Sequence, residues 1–279
     1  MLVNKQFMSL TGMSNSEESS IFFLDQWQLY IFYVSIFGAM TWSLCSKWFV
    51  CNFMKVRVFT SLTEQSATQT YNLLIHLSDK QNIKPPQLAV YDSSDINAFT
   101  TGFSQQHAII VVSSGLLYSL NHDEQEAVLA HELMHIANHD MLTLSLMQGV
   151  INVLVMLPSH CAGWLIDKKI LQRKNGLGPA YYIVWTLLQT SMGFIATMLV
   201  MWFSRWREFR ADKGAAELVG NATMQGALTC LKASRQREEL PDELGTFGIS
   251  GHIGKGMKRL FASHPPLNER IVALREDWH

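Results

Sequence analysis

His131, Glu132 and His135 stand in the order His-Glu-Leu-Met-His, the pattern H-E-x-x-H. On a helix, residues four apart share a face. Two imidazoles at that spacing can grip one metal ion, and Glu132 beside the first can serve as base for the water that the ion activates. This is the sequence mark of a zinc metallopeptidase. The plainer alternative is two core histidines in an alanine-rich helix. Buried cores rarely hold two histidines and a glutamate within five residues, which favours the metal.

Two histidines do not complete a catalytic zinc site, which takes three protein ligands and leaves one position to water. His139 lies on the same face as His131 but about 12 Å along the axis, against zinc–nitrogen bonds of about 2 Å. The metzincin spacing needs a histidine where Met141 stands. A better candidate lies in Arg207-Glu208-Phe209-Arg210-Ala211-Asp212. Glu208 and Asp212 are four apart and share a helix face. In gluzincin-type sites the glutamate binds zinc, and the acid one turn later can orient a ligand histidine, fixing its tautomer. The alternative is a charged helix leaving a membrane, with Glu208 paired to Arg205 or Arg210. Glu217 is the fallback ligand. One zinc per chain is expected.

These residues need elements to hold them. Asn121-His122-Asp123-Glu124 reads as a helix start, with a cap and acids in the first turn. Thr63 to Lys80 reads as an amphipathic helix and Gln87 to Tyr91 as a strand after Pro85-Pro86. Asp92 to Asp95 is a turn. Asn97 to Phe103 looks extended, and His107 to Ser113 is a β run. Gly220 stops the helix that carries Glu208, Thr223 to Glu239 is a further amphipathic helix, and Pro265 to Arg275 makes the last. Gly245 to Gly256 reads as a glycine-rich loop, but Gly254-Lys255-Gly256 lacks the Ser/Thr and the preceding strand of a phosphate loop.

Of the 279 residues, 48% are hydrophobic and only 16% charged, and the apolar residues are concentrated in three long uncharged runs. That places the chain among membrane proteins. The runs are Trp27 to Ser46, Met141 to Ile166 and Asn175 to Ser204, each long enough for a hydrocarbon core of about 30 Å. Asn152, Pro158, Ser159 and His160 interrupt the second, and buried core helices are the alternative for the last two. No basic face or aromatic–basic interleaving suggests nucleic acid. Met1 to Ser20 lacks the regions of a signal peptide. Cys45, Cys51, Cys161 and Cys230 show no paired spacing and read as reduced thiols.

Four motifs in order carry a resemblance: His131 to Asn138, Ser204 to Asp212, Ser263-His264-Pro265-Pro266, and Asn97-Ala98-Phe99-Thr100-Thr101-Gly102. Together they resemble the HtpX family of bacterial inner-membrane zinc proteases, which is related to the CaaX prenyl proteases of eukaryotes. The resemblance covers nearly the whole chain from about Met8 onward. The family has two N-terminal spans, and Met8 to Gly12 resembles the loop between them, so one span fewer is expected here. The resemblance implies that Asn97 pins the substrate backbone beside an edge strand. It also implies a duty in cutting misfolded or damaged membrane proteins under stress.

The expected fold is α+β and mainly helical: a zincin-like, gluzincin metalloprotease domain with transmembrane helices. Its parts are an N-terminal segment (1–20), a transmembrane helix (21–48) and the first part of the catalytic domain with the H-E-x-x-H helix (49–141). A transmembrane helix (142–166), a loop (167–178) and another transmembrane helix (179–204) follow. The second catalytic part, with the third ligand, is 205–279. One site needs His131, His135 and Glu208 on one side of the bilayer, and the two runs between them satisfy that. Lys47, Lys55 and Arg57, with Arg205, Arg207, Arg210 and Lys213, mark that side as cytoplasmic. Lys168, Lys169, Arg173 and Lys174 in the opposite loop run against the same rule.

The expected reaction is peptide hydrolysis, with Glu132 moving the proton and His264 as candidate donor to the developing oxyanion. A turn role is the alternative for His264, as it is for Asn97. Expected partners are protein substrates and the lipid bilayer. A zinc-retaining but catalytically idle scaffold is the second hypothesis, against which Glu132 argues. A transporter is the third, with little intramembrane charge to support it beyond His160.

Overall fold

The computed structural model describes residues 65–173, 177–238 and 265–276, and isolated positions between 33 and 58. Most of the first expected span lies outside these residues. The N-terminal segment, the glycine-rich loop and His264 lie outside them entirely.

The described elements in chain order are β1 (Arg57–Val58), α1 (Gln65–Lys80), β2 (Gln87–Tyr91), β3 (Ala98–Thr101) and β4 (Ile109–Ser113). Then come α2 (Ser114–Ser119), α3 (His122–Ala137), α4 (Asp140–Leu165), α5 (Pro179–Val219), α6 (Asn221–Glu238) and α7 (Leu267–Arg275). The fold is mainly helical with one small sheet. The chain divides into two compact units, Met1–Ala39 with Gln148–Gly193, and Met40–Met147 with Phe194–His279.

In the second unit the strands order β1-β2-β4-β3. β4 runs parallel to β2 and antiparallel to β3, pairing Thr100 with Ile110. All five residues of β4 are buried, as a continuous apolar run between two neighbours requires. Among the described residues β3 is an edge strand, as is β1 on the other side. The β run begins two residues later than the sequence pattern places it. Gln105–His107 forms a single 3-10 turn, held by Ser104 Oγ against His107 Nδ1 at 2.9 Å and by the His107 ring stacked on Phe103. The turn follows Gly102, whose φ of 123° is open to glycine alone at so tight a corner: an added Cβ would meet the His107 carbonyl oxygen at 2.7 Å.

α3 starts with a full capping box. Asn121 Oδ1 accepts from the Glu124 N–H at 2.9 Å, and Glu124 Oε2 accepts from the Asn121 N–H at 2.9 Å. Behind it, α1, α2, α6 and one sheet face form the core, where Leu74, Leu77, Ile110, Leu116, Leu129 and Leu133 are fully buried. Each contributes about 1.5–3 kcal/mol of apolar burial. This clamps the buried side of α3 and leaves His131 and His135 on a neighbouring face.

Two helices, Asp140–Ile170 and Pro179–Val219, are long and apolar enough to cross a membrane, with 17% and 6% of their apolar windows buried. A soluble core helix would be buried over most of that length, so both need an apolar surrounding instead. In the first unit they are joined through polar contacts. Tyr181 Oη bonds to His160 Nδ1, and the Gly178 N–H donates to the buried Asp167 carboxylate at 2.9 Å. α5 continues without interruption from the apolar run to Val219 and ends at Gly220, whose φ is 93°. Glu208 therefore lies on the same helix as the end of the apolar run.

Candidate active site

His131 and His135 lie one turn apart on α3, and Glu208 meets them from α5. The two Nε2 atoms are 3.2 Å apart. His131 Nε2 is 3.5 Å from Glu208 Oε2, and His135 Nε2 is 3.5 Å from Glu208 Oε1. Bonds of about 2.0–2.1 Å to a tetrahedral ion require ligand atoms roughly 3.3–3.4 Å apart. Two imidazole nitrogens and a carboxylate at that separation fit a metal of borderline softness. All three residues are buried, Glu208 to 1% exposure. The buried Glu208 carboxylate is faced by Arg207 at 3.7 Å and Arg270 at 3.9 Å as well as by the two imidazoles, as a buried charge requires.

Each imidazole is held from behind by a carboxylate. Asp212 Oδ1 accepts from His131 Nδ1 at 2.9 Å, and Asp140 Oδ2 accepts from His135 Nδ1 at 2.7 Å. A proton fixed on Nδ1 leaves the Nε2 lone pair for a metal. Asp140 was not legible in the spacing. His139, the rival ligand, adopts a left-handed backbone with φ of 57° between α3 and α4. That break swings Asp140 back under His135 and takes His139 out of the metal triangle. Glu217, the fallback, is exposed on α5. Asp140→Asn and Asp212→Asn are each expected to weaken zinc binding about 10–100-fold, read by competition with a chromogenic chelator. Unchanged affinity in both would show that the acids do not tune the ligands.

A second residue hidden from sequence reasoning is Arg270, on α7. Its Nε and Nη2 donate to the two Asp212 oxygens at 2.7 and 2.5 Å, and Nη1 stands 3.9 Å from Glu208 Oε2. Burial works against the charge of Asp212. The hydrogen bonds and charge of Arg270, then those of His131, outweigh it and hold Asp212 below the usual carboxylate range. For His131, burial and the Arg270 charge favour the neutral ring, but the bond to Asp212, its charge and the bond to Glu208 prevail and raise it to about 9. The metal-free site therefore carries a proton on His131 at neutral pH, which a metal must displace.

Glu132 lies on the same helix with its carboxylate turned to the sheet. Thr100 Oγ1, on edge strand β3, donates to Glu132 Oε2 at 2.8 Å. One cleft gathers Asn97, Ala98, His131, Glu132, Glu208 and Arg270, with Leu116, Val128, Met224 and Leu228 as apolar wall. Asn97 is at the start of the edge strand. Its Nδ2 donates to Tyr91 Oη at 3.1 Å and its backbone N–H to Ser113 Oγ at 3.1 Å.

Metal-binding geometry on a zincin-like fold, beside apolar helices, defines a membrane metalloprotease. The chain belongs to Peptidase family M48, whose sequence profile matches residues 64–277. It is 42% identical over 244 residues to Protease HtpX of Alkalilimnicola ehrlichii, covering 87% of this chain and 81% of that one. It is 50% identical over 190 residues to the Protease HtpX homolog of Nitrosomonas eutropha, covering 68% and 65%. A third relative, Protease HtpX of Xanthomonas campestris pv. campestris, is 47% identical over 213 residues, covering 75% and 73%. Among solved structures, S. mikatae Ste24p superposes with a TM-score of 0.62 at 21% identity, covering 90% of this chain. The chain spans 58% of that protein, and the likeness is one of fold.

Proposed function

We propose that this chain is a zinc endopeptidase of the bacterial inner membrane, with its active site facing the cytoplasm, that degrades misfolded or damaged membrane proteins. The observation that carries the reaction is the triangle of His131 Nε2, His135 Nε2 and Glu208, with Glu132 beside it. These three residues would hold the zinc, which when bound acidifies water and polarises the scissile carbonyl. Glu132 receives the proton of the attacking water on its carboxylate and delivers it to the leaving amine nitrogen. The Thr100 hydroxyl holds one Glu132 oxygen, and the other would take the water's proton. Asp212 and Asp140 keep both imidazoles oriented throughout. Asn97 and the free side of β3 would fix an extended peptide by strand addition. His264 is proposed to donate to the oxyanion.

Membrane quality control rests on the family resemblance and on α5, whose apolar run is followed on the same helix by Glu208. The cytoplasmic side rests on the basic residues after Ser204. The test is casein cleavage in detergent by protein purified with chelator and then given zinc. Wild type is expected to cut, and Glu208→Ala to lose both zinc and cleavage. Cleavage and zinc retained in Glu208→Ala would remove the third ligand, and zinc held without cleavage by wild type would favour the idle scaffold.

A further inference from the structure

Behind each ligand histidine stands a carboxylate, and behind each carboxylate an arginine. On one side the order is His131, Asp212, Arg270. On the other it is His135, Asp140, Arg210. Asp140, the first residue of α4, is fully buried. Its carboxylate is divided between two partners: Oδ2 accepts from His135 Nδ1 at 2.7 Å, and Oδ1 accepts from Arg210 Nη2. A carboxylate held at both oxygens cannot turn about its Cβ–Cγ bond without breaking one of these contacts.

Arg210 is held in its turn. It follows Trp206 by one turn of α5, so the two share a helix face. Its guanidinium carbon lies over the Trp206 ring, 4.7 Å from the centroid. A planar guanidinium stacks on an aromatic face in a way that a lysine ammonium does not. We propose that Arg210 is a positioning residue for the zinc site: seated on Trp206, it fixes the Asp140 carboxylate and, through it, the His135 ring. The inference rests on the assignment of His135 as a zinc ligand. The N-terminus of α4 already favours the charge of Asp140, and a guanidinium by itself repels a nearby cation. What Arg210 contributes to zinc binding is therefore direction, not charge.

Two measurements on the full chain in detergent test this: zinc affinity by competition with a chromogenic chelator, and the visible absorption of the cobalt(II)-loaded protein. Arg210→Lys keeps the charge and loses the planar contact. It should weaken zinc about tenfold, the lower end for groups that orient a metal ligand. Trp206→Leu removes the platform and should cost about two- to fivefold, with Trp206→Phe restoring most of it. Trp206 is 46% exposed, so its variants carry the test even where Arg210→Lys fails to fold. Arg210→Lys and Trp206→Leu should each shift the cobalt band, which reports ligand geometry. In an Asp140→Asn background neither should weaken zinc further, because the path to His135 is already cut. An ion pair that only joins α4 to α5 would lower the thermal transition and leave zinc affinity and the cobalt band at wild type. That result overturns the proposal, as does an undiminished loss when either variant is added to Asp140→Asn. His135→Ala separates the two readings. Wild-type zinc affinity in that variant removes His135 from the metal; zinc lost there but held at wild-type affinity in Arg210→Lys and Trp206→Leu defeats only the role of Arg210.

Discussion

Glu132→Gln is expected to lower peptide turnover about 10²–10⁴-fold while zinc content stays at wild type. Glutamine keeps the shape of the side chain and its contact with Thr100, but cannot take a proton at neutral pH. Glu132 is no part of the triangle formed by His131, His135 and Glu208, so the metal has no reason to leave. In rate terms the loss is about 3–5 kcal/mol of barrier, at 1.36 kcal/mol per tenfold. The measurement is single-turnover cleavage of a quenched fluorescent peptide, with metal counted on the same sample. Equal loss of zinc and turnover would make Glu132 a structural member of the site. Undiminished turnover would remove it from proton transfer altogether.

What made the site legible was local periodicity. H-E-x-x-H and the Glu208/Asp212 pair are both helix-face patterns, and α5 carries the second because no proline follows Pro179 before Val219. Gly220, too, was readable as a stop. Asp140 was hidden by a backbone event. Were α3 to continue as a regular helix, position 140 would lie well round from His135, and only the left-handed His139 returns it. Arg270 was hidden by distance, 58 residues beyond Asp212; no periodicity links the last helix to α5. Thr100 stands within a family segment, yet its bond to Glu132 exists only because β3 lies at the sheet edge beside α3. His107 misled because the apolar run behind it is a genuine strand, while the ring itself closes a turn.

The remaining large effect concerns Arg270, and it is a matter of charge. Glu132, Glu208, Asp140 and Asp212 are all buried at or near the site, with Arg207, Arg210 and Arg270 among the cations facing them. Removing Arg270 leaves Asp212 buried and stripped of two short donor bonds. A buried pair broken on one side costs about 3–5 kcal/mol, and with His131 still bonded to Asp212 at 2.9 Å the lower end, about 3 kcal/mol, is expected. Arg270→Met should therefore destabilise the metal-free protein by that amount, seen as a lowered thermal transition in detergent. Arg270→Lys should recover little, since an ammonium cannot reproduce the two-pronged contact. Asp212→Asn costs less alone, as the arginine still has an amide oxygen to meet. The decisive quantity is the double variant. If the pair is one unit, Arg270→Met with Asp212→Asn loses less than the sum of the singles, by about 0.5–3 kcal/mol. Strict additivity would mean that Arg270 serves the fold through its packing on α7 alone. Coupling would mean that the last helix of the chain sets the orientation of His131, and that the metal site is complete only once that helix has docked.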